Sequence, residues 1–154
     1  AVPQGAGEEF HRGTQGQDDE LVRQLFCTTR IFSRTLNGCV APLGLHSSEW
    51  MVLNFIHLNS GIAQADLIRH FKVEAAAITR TLSRLEKKGL ISRHPMEKGR
   101  GKYIELTASG QDLFAQAEPF VTAHRRRALQ GLSPEERKLL LSLCAKVQAA
   151  LDEK

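Results

Sequence analysis

Hydrophobic residues recur every three to four positions along most of this chain, a spacing typical of helices with one buried face. Glycine, proline and asparagine interrupt the pattern at 37–44 and at 59–61. The pattern predicts helices over residues 18–37, 48–58, 63–70, 74–88 and 107–130, and from 134 towards the C-terminus. The protein is therefore predicted to be mainly α.

Two short segments in the middle of the chain are candidates for strands, at 90–94 and 102–106. The turn-forming stretch PMEKGRG joins them. Read with the preceding segments, the order is helix, short helix, turn, helix and hairpin. That order predicts a winged helix-turn-helix domain with a two-stranded wing, over residues 47–107.

The helices at the two ends carry more apolar surface than a small central domain can cover. We therefore predict a dimerisation helix with its linker over 18–46, C-terminal dimerisation helices over 108–154, and a homodimer built from both ends. Residues 1–17 read as a disordered or partly tag-derived leader. Pro119 predicts a kink or a break in its helix. Ser133 and Glu136 predict a capping box at the start of the last helix.

Composition narrows the class of protein. The chain has 154 residues, 42% of them hydrophobic but only 6% aromatic, which fits one domain with an aliphatic, helical core. No run approaches the ~18 apolar residues that a membrane span requires, and no signal peptide is visible. Three scattered cysteines exclude a disulfide framework, so a cytoplasmic location is expected.

Positive charge is concentrated in one segment. Residues 80–102 contain eight Lys or Arg and two Glu, a balance of +6, whereas the whole chain carries +4. The rest of the chain is therefore at −2. This asymmetry indicates a polyanionic partner, although a charged run alone is more often just a solvated surface.

The helix over 74–88 has the features of one that enters the major groove of DNA. Ile78, Leu82 and Leu85 form its buried stripe, and the opposite side carries small residues first and arginines a turn apart. Small residues permit close approach, and arginine can pair with guanine in a bidentate manner. Lys87 and Lys88 lie further along and are expected to touch phosphates.

The hairpin tip, KGRGK, is basic and slender. Its glycines allow a tight turn and leave Arg100 without bulky neighbours, so this arginine could reach an adjacent minor groove. Helix and wing together predict double-stranded DNA as the partner. The predicted DNA-binding residues are Gln64, Ala76, Thr79, Arg80, Ser83, Arg84, Lys87, Lys98, Arg100 and Lys102.

Four stretches resemble the MarR family of bacterial winged-helix transcription regulators. They are LGLHSSEWMVL, GIAQADLIRHF, ITRTLSRLEKKGLISR and YIELTASG, and the likeness extends over about residues 18–153. The resemblance implies a homodimer on a pseudo-palindromic operator, usually a repressor, released by a small phenolic or other aromatic ligand or by cysteine oxidation.

The chain departs from the family pattern at several positions. Lys98 stands where the family's wing has an aspartate that braces the wing-tip arginine, and Glu97 is the available substitute. Ala75 to Ala77 replace the frequent hydroxyl residues at the start of the recognition helix. His46 and Ala63 stand where a threonine cap is frequent. These departures concern the operator sequence, not the fold.

The resemblance also implies a ligand crevice between the DNA-binding lobe and the dimerisation helices, with Phe26, Arg30, Trp50 and His57 as candidate residues. The alternative is that Phe26 and Trp50 are core residues and that Arg30 pairs with an acidic neighbour. Cys27, flanked by Arg23 and Arg30, is a candidate redox switch, whereas Cys144 reads as core.

Other classes of function find little support. The six histidines are dispersed, so no metal site or cofactor is predicted, and the motifs of common enzyme classes are missing. We predict that the protein is not an enzyme. A winged helix that binds protein rather than DNA remains the alternative of a different class.

Overall fold

The structure, a computed structural model, describes residues 6–152, with side chains from residue 15 onwards. Within that range the helices are α1 (Ala6–Val40), α2 (Ser47–Leu58), α3 (Gln64–Phe71), α4 (Ala75–Lys87), α5 (Ala108–Leu129) and α6 (Pro134–Asp152). A single 3-10 turn, Ala41–Leu43, links α1 to α2. The strands are β1 (Ile62–Ala63), β2 (Ile91–Pro95) and β3 (Lys102–Leu106).

This order confirms the mainly α winged-helix fold. The core lies where α2, α3 and α4 pack against β3, and its centre is completely buried. Aliphatic side chains predominate there, as the low aromatic content implies. The residues with no exposed surface include Leu53, Ile56, Leu67, Leu82, Leu85 and Ile104.

The small sheet has three strands in the order β1-β3-β2, all antiparallel. β2 and β3 form the wing, paired from Ile91 opposite Leu106 to Pro95 opposite Lys102. The sequence predicted both of these strands but not β1, which places Ile62 opposite Ile104. A strand of two residues is too short to show any alternation, so its pattern carried no signal.

The first helix is longer than the sequence predicted. α1 begins at Ala6, so residues 6–17 belong to a helix, not to the expected leader. Glycines at 13 and 16 weaken a helix by ~1 kcal/mol each but do not forbid it, and the surrounding Glu, Gln and Arg favour it. Residues 1–5 of the expected leader lie outside the described residues.

Capping residues fix where the helices begin. The hydroxyl of Thr107 accepts a hydrogen bond from the Gly110 amide at 3.0 Å, and Ser133 and Glu136 form the predicted capping box. His46 also caps its helix, accepting from the Ser48 amide at 3.2 Å. Ala63 makes no side-chain cap, as its methyl group dictates. α5 runs through Pro119 without the break that was considered.

The outer helices leave broad apolar faces open. α6 buries no residue, and Cys144, expected to be core, is exposed because nothing within residues 6–152 covers that helix. α1 likewise exposes a row of apolar side chains. The exposed apolar residues on these two helices are Leu21, Val22, Leu25, Phe26, Ile31, Phe32, Leu139, Leu140, Leu141, Leu143, Val147 and Leu151.

Among the helices within residues 6–152, none has both the length and the apolar character needed to cross a membrane.

Candidate nucleic-acid interface

The outer side of α4 presents the polar residues that the sequence pattern singled out. Ile78, Thr81, Leu82 and Leu85 anchor the helix on the core. The remaining positions therefore point outwards, because residues opposite a buried stripe face solvent. All six predicted positions of this helix are exposed: Ala76, Thr79, Arg80, Ser83, Arg84 and Lys87.

Two of these side chains have partners within the helix. The Thr79 hydroxyl donates to the Ala75 carbonyl at 2.8 Å, which leaves its lone pairs free. The Arg84 guanidinium donates from Nη2 to the Thr81 hydroxyl at 3.2 Å. The other nitrogens of Arg84 remain available to a ligand.

The wing tip is a tight basic turn. Gly99 and Gly101 adopt φ values of 87° and 107°, a region that residues with a Cβ rarely adopt, and the Met96 amide closes the turn on the Gly101 carbonyl at 3.1 Å. Lys98, Arg100 and Lys102 are all exposed on it.

The brace suggested for Arg100 does not form. Among residues 6–152, Glu97 makes no ion pair with Arg100, so the wing-tip arginine has no acidic partner in the described chain.

Two cations of residues 80–102 form ion pairs within the subunit. Arg93 makes two bonds to Glu86, at 2.9 and 3.1 Å; these lower the pKa of Glu86 and raise the pKa of Arg93. The ammonium group of Lys88 bonds to Glu49 and to the Gly44 carbonyl, both at 2.8 Å. The buried Glu49 carboxylate thus holds Lys88, which argues against the phosphate contact expected for this lysine.

Six cations of this surface form no ion pair within residues 6–152. They are Arg80, Arg84 and Lys87 on α4, and Lys98, Arg100 and Lys102 on the wing. We call these six residues the basic surface.

Gln64 lies next to the wing. It begins α3 and lines a concavity of about 410 Å³ together with Arg100 and Lys102. Its side-chain oxygen is buried without a hydrogen-bond partner among the described residues. The first amides of α3 also lack a side-chain cap. The concavity thus brings together two cations, the uncapped backbone amides of α3 and the side-chain amide of Gln64. Groups of these kinds bind the phosphate backbone of DNA.

A cavity with a volume of about 690 Å³ lies between α1, α2 and α4. Its wall is mostly apolar, and no lysine, arginine or carboxylate lines it. Its lining residues include Thr28, Phe32, His46, Met51, Phe71 and Thr81.

None of the four residues predicted for ligand binding lines this cavity. Trp50 is 2% exposed and stacks on Phe114 of α5, with 4.9 Å between ring centroids, and His57 stacks on the same ring at 3.8 Å. Phe26 and Arg30 are exposed on α1. Trp50 is therefore a core residue, and the four side chains do not form one site.

The resemblance implied a crevice between the DNA-binding lobe and the dimerisation helices, but the candidate residues missed its wall, because that wall is discontinuous in the chain. It combines residues within 28–36 of α1, residues within 46–52 at the start of α2, and residues within 71–81, which include the link before α4 and the first half of α4. The available signal was a set of small polar residues, Thr28, Thr29 and Ser33, inside an otherwise apolar stripe of α1.

The redox candidate Cys27 lies outside the basic surface and does not line the cavity of about 690 Å³. Cys27 is partly buried on α1, and the neighbouring Arg23 is bonded to Glu20. No group of three His, Cys, Asp or Glu side chains within the described range is placed to hold a metal ion.

Comparison with known proteins agrees with this architecture. Residues 43–100 match the model of the MarR family. A cysteine-to-serine variant of MarR from E. coli, solved in complex with operator DNA, is 27% identical with a TM-score of 0.75, over 83% of this chain and 93% of that one.

Two further solved structures share the fold. AbsC, a MarR family transcriptional regulator from Streptomyces coelicolor, is 21% identical with a TM-score of 0.79, over 88% of this chain and 94% of that one. A putative MarR family regulator from Listeria monocytogenes, complexed with 26mer DNA, is 24% identical with a TM-score of 0.75, over 84% and 87%.

Proposed function

We propose that this chain is a member of the MarR family of winged-helix, DNA-binding transcription regulators, and that it is a homodimeric repressor that binds a pseudo-palindromic operator. In this proposal α4 enters the major groove, the wing lies over an adjacent minor groove, and a small aromatic molecule releases the DNA.

The basic surface is the observation that carries the proposal. Its six cations lie on one helix and the adjoining hairpin tip, and none forms an ion pair with another described residue. Cations that had only a structural role would be paired with acids, as Arg93 and Lys88 are. Unpaired cations at this density repel one another, and an anionic backbone relieves that repulsion.

The open apolar faces of α1 and α6 support the homodimer. A soluble protein rarely exposes so many large apolar side chains in one region without a partner surface. A second copy offers the same two faces, so a two-fold axis can bury both. Two copies would place their α4 helices in successive major grooves, ~34 Å apart.

The cavity of about 690 Å³ supports the effector. Its volume lies in the range typical of small-molecule sites, and two aromatic rings, Phe32 and Phe71, contribute to its wall. It adjoins Ala77, Ile78 and Thr81 of α4, so an occupant would touch the recognition helix itself.

The proposal is tested by selecting bound duplexes from a random DNA pool and measuring affinity over a salt series. We expect binding that weakens steeply with salt, because neutralised phosphates release counterions. Arg100→Ala should weaken binding by about 1–3 kcal/mol without lowering thermal stability. Arg126→Ala, an exposed arginine near the far end of α5, is the matched control and should leave affinity unchanged.

A wild-type protein that binds no duplex at low salt would contradict the proposal and favour the protein-binding alternative. Equal affinities for Arg100→Ala and Arg126→Ala would remove the wing from the interface while leaving α4 in it.

A further inference from the structure

Thr81 occupies an unusual position on α4. It is only 5% exposed and lies one turn before Arg84. Its hydroxyl donates to the Ala77 carbonyl at 3.1 Å and accepts from Arg84 Nη2 at 3.2 Å. The hydroxyl thus links the backbone of α4 to the guanidinium of an exposed cation.

Packing alone does not require a hydroxyl here. Valine has nearly the same shape as threonine and would fill the same space against the core. What valine lacks is the acceptor that faces Arg84. A free arginine side chain samples many rotamers, and fixing it on DNA is unfavourable unless another contact already restricts it.

Thr81 also faces the cavity of about 690 Å³ between α1, α2 and α4. Its side chain is part of the wall, together with Ala77 and Ile78 of the same helix. One residue therefore touches the cavity on one side and a cation of the basic surface on the other. An occupant that displaced the Thr81 hydroxyl would release the guanidinium of Arg84.

We infer that Thr81 is a positioning residue for DNA recognition, holding the Arg84 guanidinium in the orientation that DNA requires and linking it to the cavity. This inference rests on the proposed function of the basic surface. Thr81 does not touch DNA; it acts through Arg84.

The test is a double-mutant cycle on DNA affinity. The variants are Thr81→Val, which removes the hydroxyl, Arg84→Ala, and the two combined; Thr81→Ser keeps the hydroxyl and serves as the rescue. Each is measured on a duplex selected by the wild-type protein and on a scrambled duplex of the same composition. Thermal unfolding checks that each variant is folded.

We expect Thr81→Val to weaken binding to the selected duplex by about 3- to 10-fold, the loss typical of one hydrogen bond. Thr81→Ser should remain within about 2-fold of the wild type, since its acceptor is retained. In the Arg84→Ala background, Thr81→Val should have almost no further effect, because the side chain that it positions is missing.

Other outcomes would overturn the inference. An equal loss in both backgrounds would mean that Thr81 acts through packing. Tighter binding by Thr81→Val would mean that the contact holds Arg84 away from DNA. Failure of the wild-type protein to bind any duplex would instead contradict the proposed function itself, and this is seen before any variant is made.

Discussion

Gly110 packs so closely against the backbone that it has no space for a side chain. A Cβ at this position would lie 2.0 Å from the Leu90 carbonyl oxygen. The same contact region includes Thr107, whose amide bonds to the Leu90 carbonyl at 3.1 Å and whose hydroxyl donates to Gly89 at 2.6 Å. Here the start of α5 is fixed against the first residues of the wing.

We predict that Gly110→Ala destabilises the protein by about 2–3 kcal/mol, because backbone atoms must move to admit the methyl group. Urea unfolding measures the change. Gly131→Ala is the control, since nothing lies within 4 Å of its added Cβ. Similar free energies of unfolding for the two variants would contradict the prediction, because the close contact at 110 would then carry no cost.

At the residue scale, the sequence predicted which side chains face outwards but not which of them have partners. Periodicity alone places Arg80 and Lys87 opposite the buried stripe. Lys88 has the same side chain as Lys87 and is the next residue in the chain. Its ammonium group nevertheless bonds to the Glu49 carboxylate and the Gly44 carbonyl, which are far away in the sequence. Such partners depend on how helices pack, and no local pattern encodes that packing.

At the scale of elements, one ion pair joins α4 to the corner between α1 and α2. Glu49 is 5% exposed; one of its oxygens accepts from the His46 amide at 3.0 Å and the other from Lys88. Lys88 also reaches the Gly44 carbonyl. The C-terminal end of α4 is thereby held at a fixed place relative to α1.

We predict that Lys88→Met lowers the free energy of unfolding by about 2 kcal/mol, since it leaves a buried carboxylate without its cation. The partial exposure of Lys88, 39% of its side chain, keeps the loss below that of a fully buried pair. Thermal or urea unfolding measures it. The double variant Lys88→Met/Glu49→Met should recover part of the stability, because no buried charge remains.

Lys87→Met is the matched control, because that neighbouring lysine is exposed and has no ion pair in the described chain. It should weaken DNA binding but not stability. If the free energy of unfolding of Lys88→Met equals that of the wild type, the ion pair contributes nothing to holding α4 in place.

The helices were the most predictable elements, because the hydrophobic periodicity and the capping residues indicate the same helix independently. Ser133 and Thr107 marked helix starts correctly. β1 depends entirely on its partner β3, and the start of α1 depends on tolerated glycines. Both were missed because neither segment shows a periodic pattern of hydrophobic residues.

His124 lies where α5 packs against α1. It is 6% exposed, and one ring nitrogen bonds to the Thr35 hydroxyl at 2.7 Å. Burial, with a smaller contribution from the charge of Arg127, lowers the pKa of His124. The native protein therefore resists protonation of this ring, whereas the unfolded chain does not.

We predict that stability falls as the pH drops through the ordinary pKa of histidine, ~6.5, because the unfolded state then binds the extra proton. The loss should level off once the pH is below the native pKa of His124. Urea unfolding between pH 5 and 8 measures it. His124→Gln should flatten this part of the profile, and His94→Gln, on the wing, is the control; an unchanged slope in His124→Gln would assign the dependence to other groups.

At the scale of the whole molecule, the exposed apolar faces of α1 and α6 predict a homodimer. We expect Leu143→Lys to convert a homodimer into a monomer and to weaken operator binding at least 10-fold, since one copy engages only half a site. Sedimentation velocity measures the mass. Gln148→Lys adds the same charge to the same helix as a control, and a wild-type monomer at micromolar concentration would contradict the prediction outright.

The stacking of Trp50 on Phe114 has a practical consequence. This indole is the only tryptophan in the chain, and its ring partner belongs to the helix that leads away from the winged domain. Tryptophan fluorescence, excited selectively at about 295 nm, therefore originates from one known contact between the two halves of the subunit. Any rearrangement there, on titration with DNA or a small molecule, can be followed in the native protein without an attached dye.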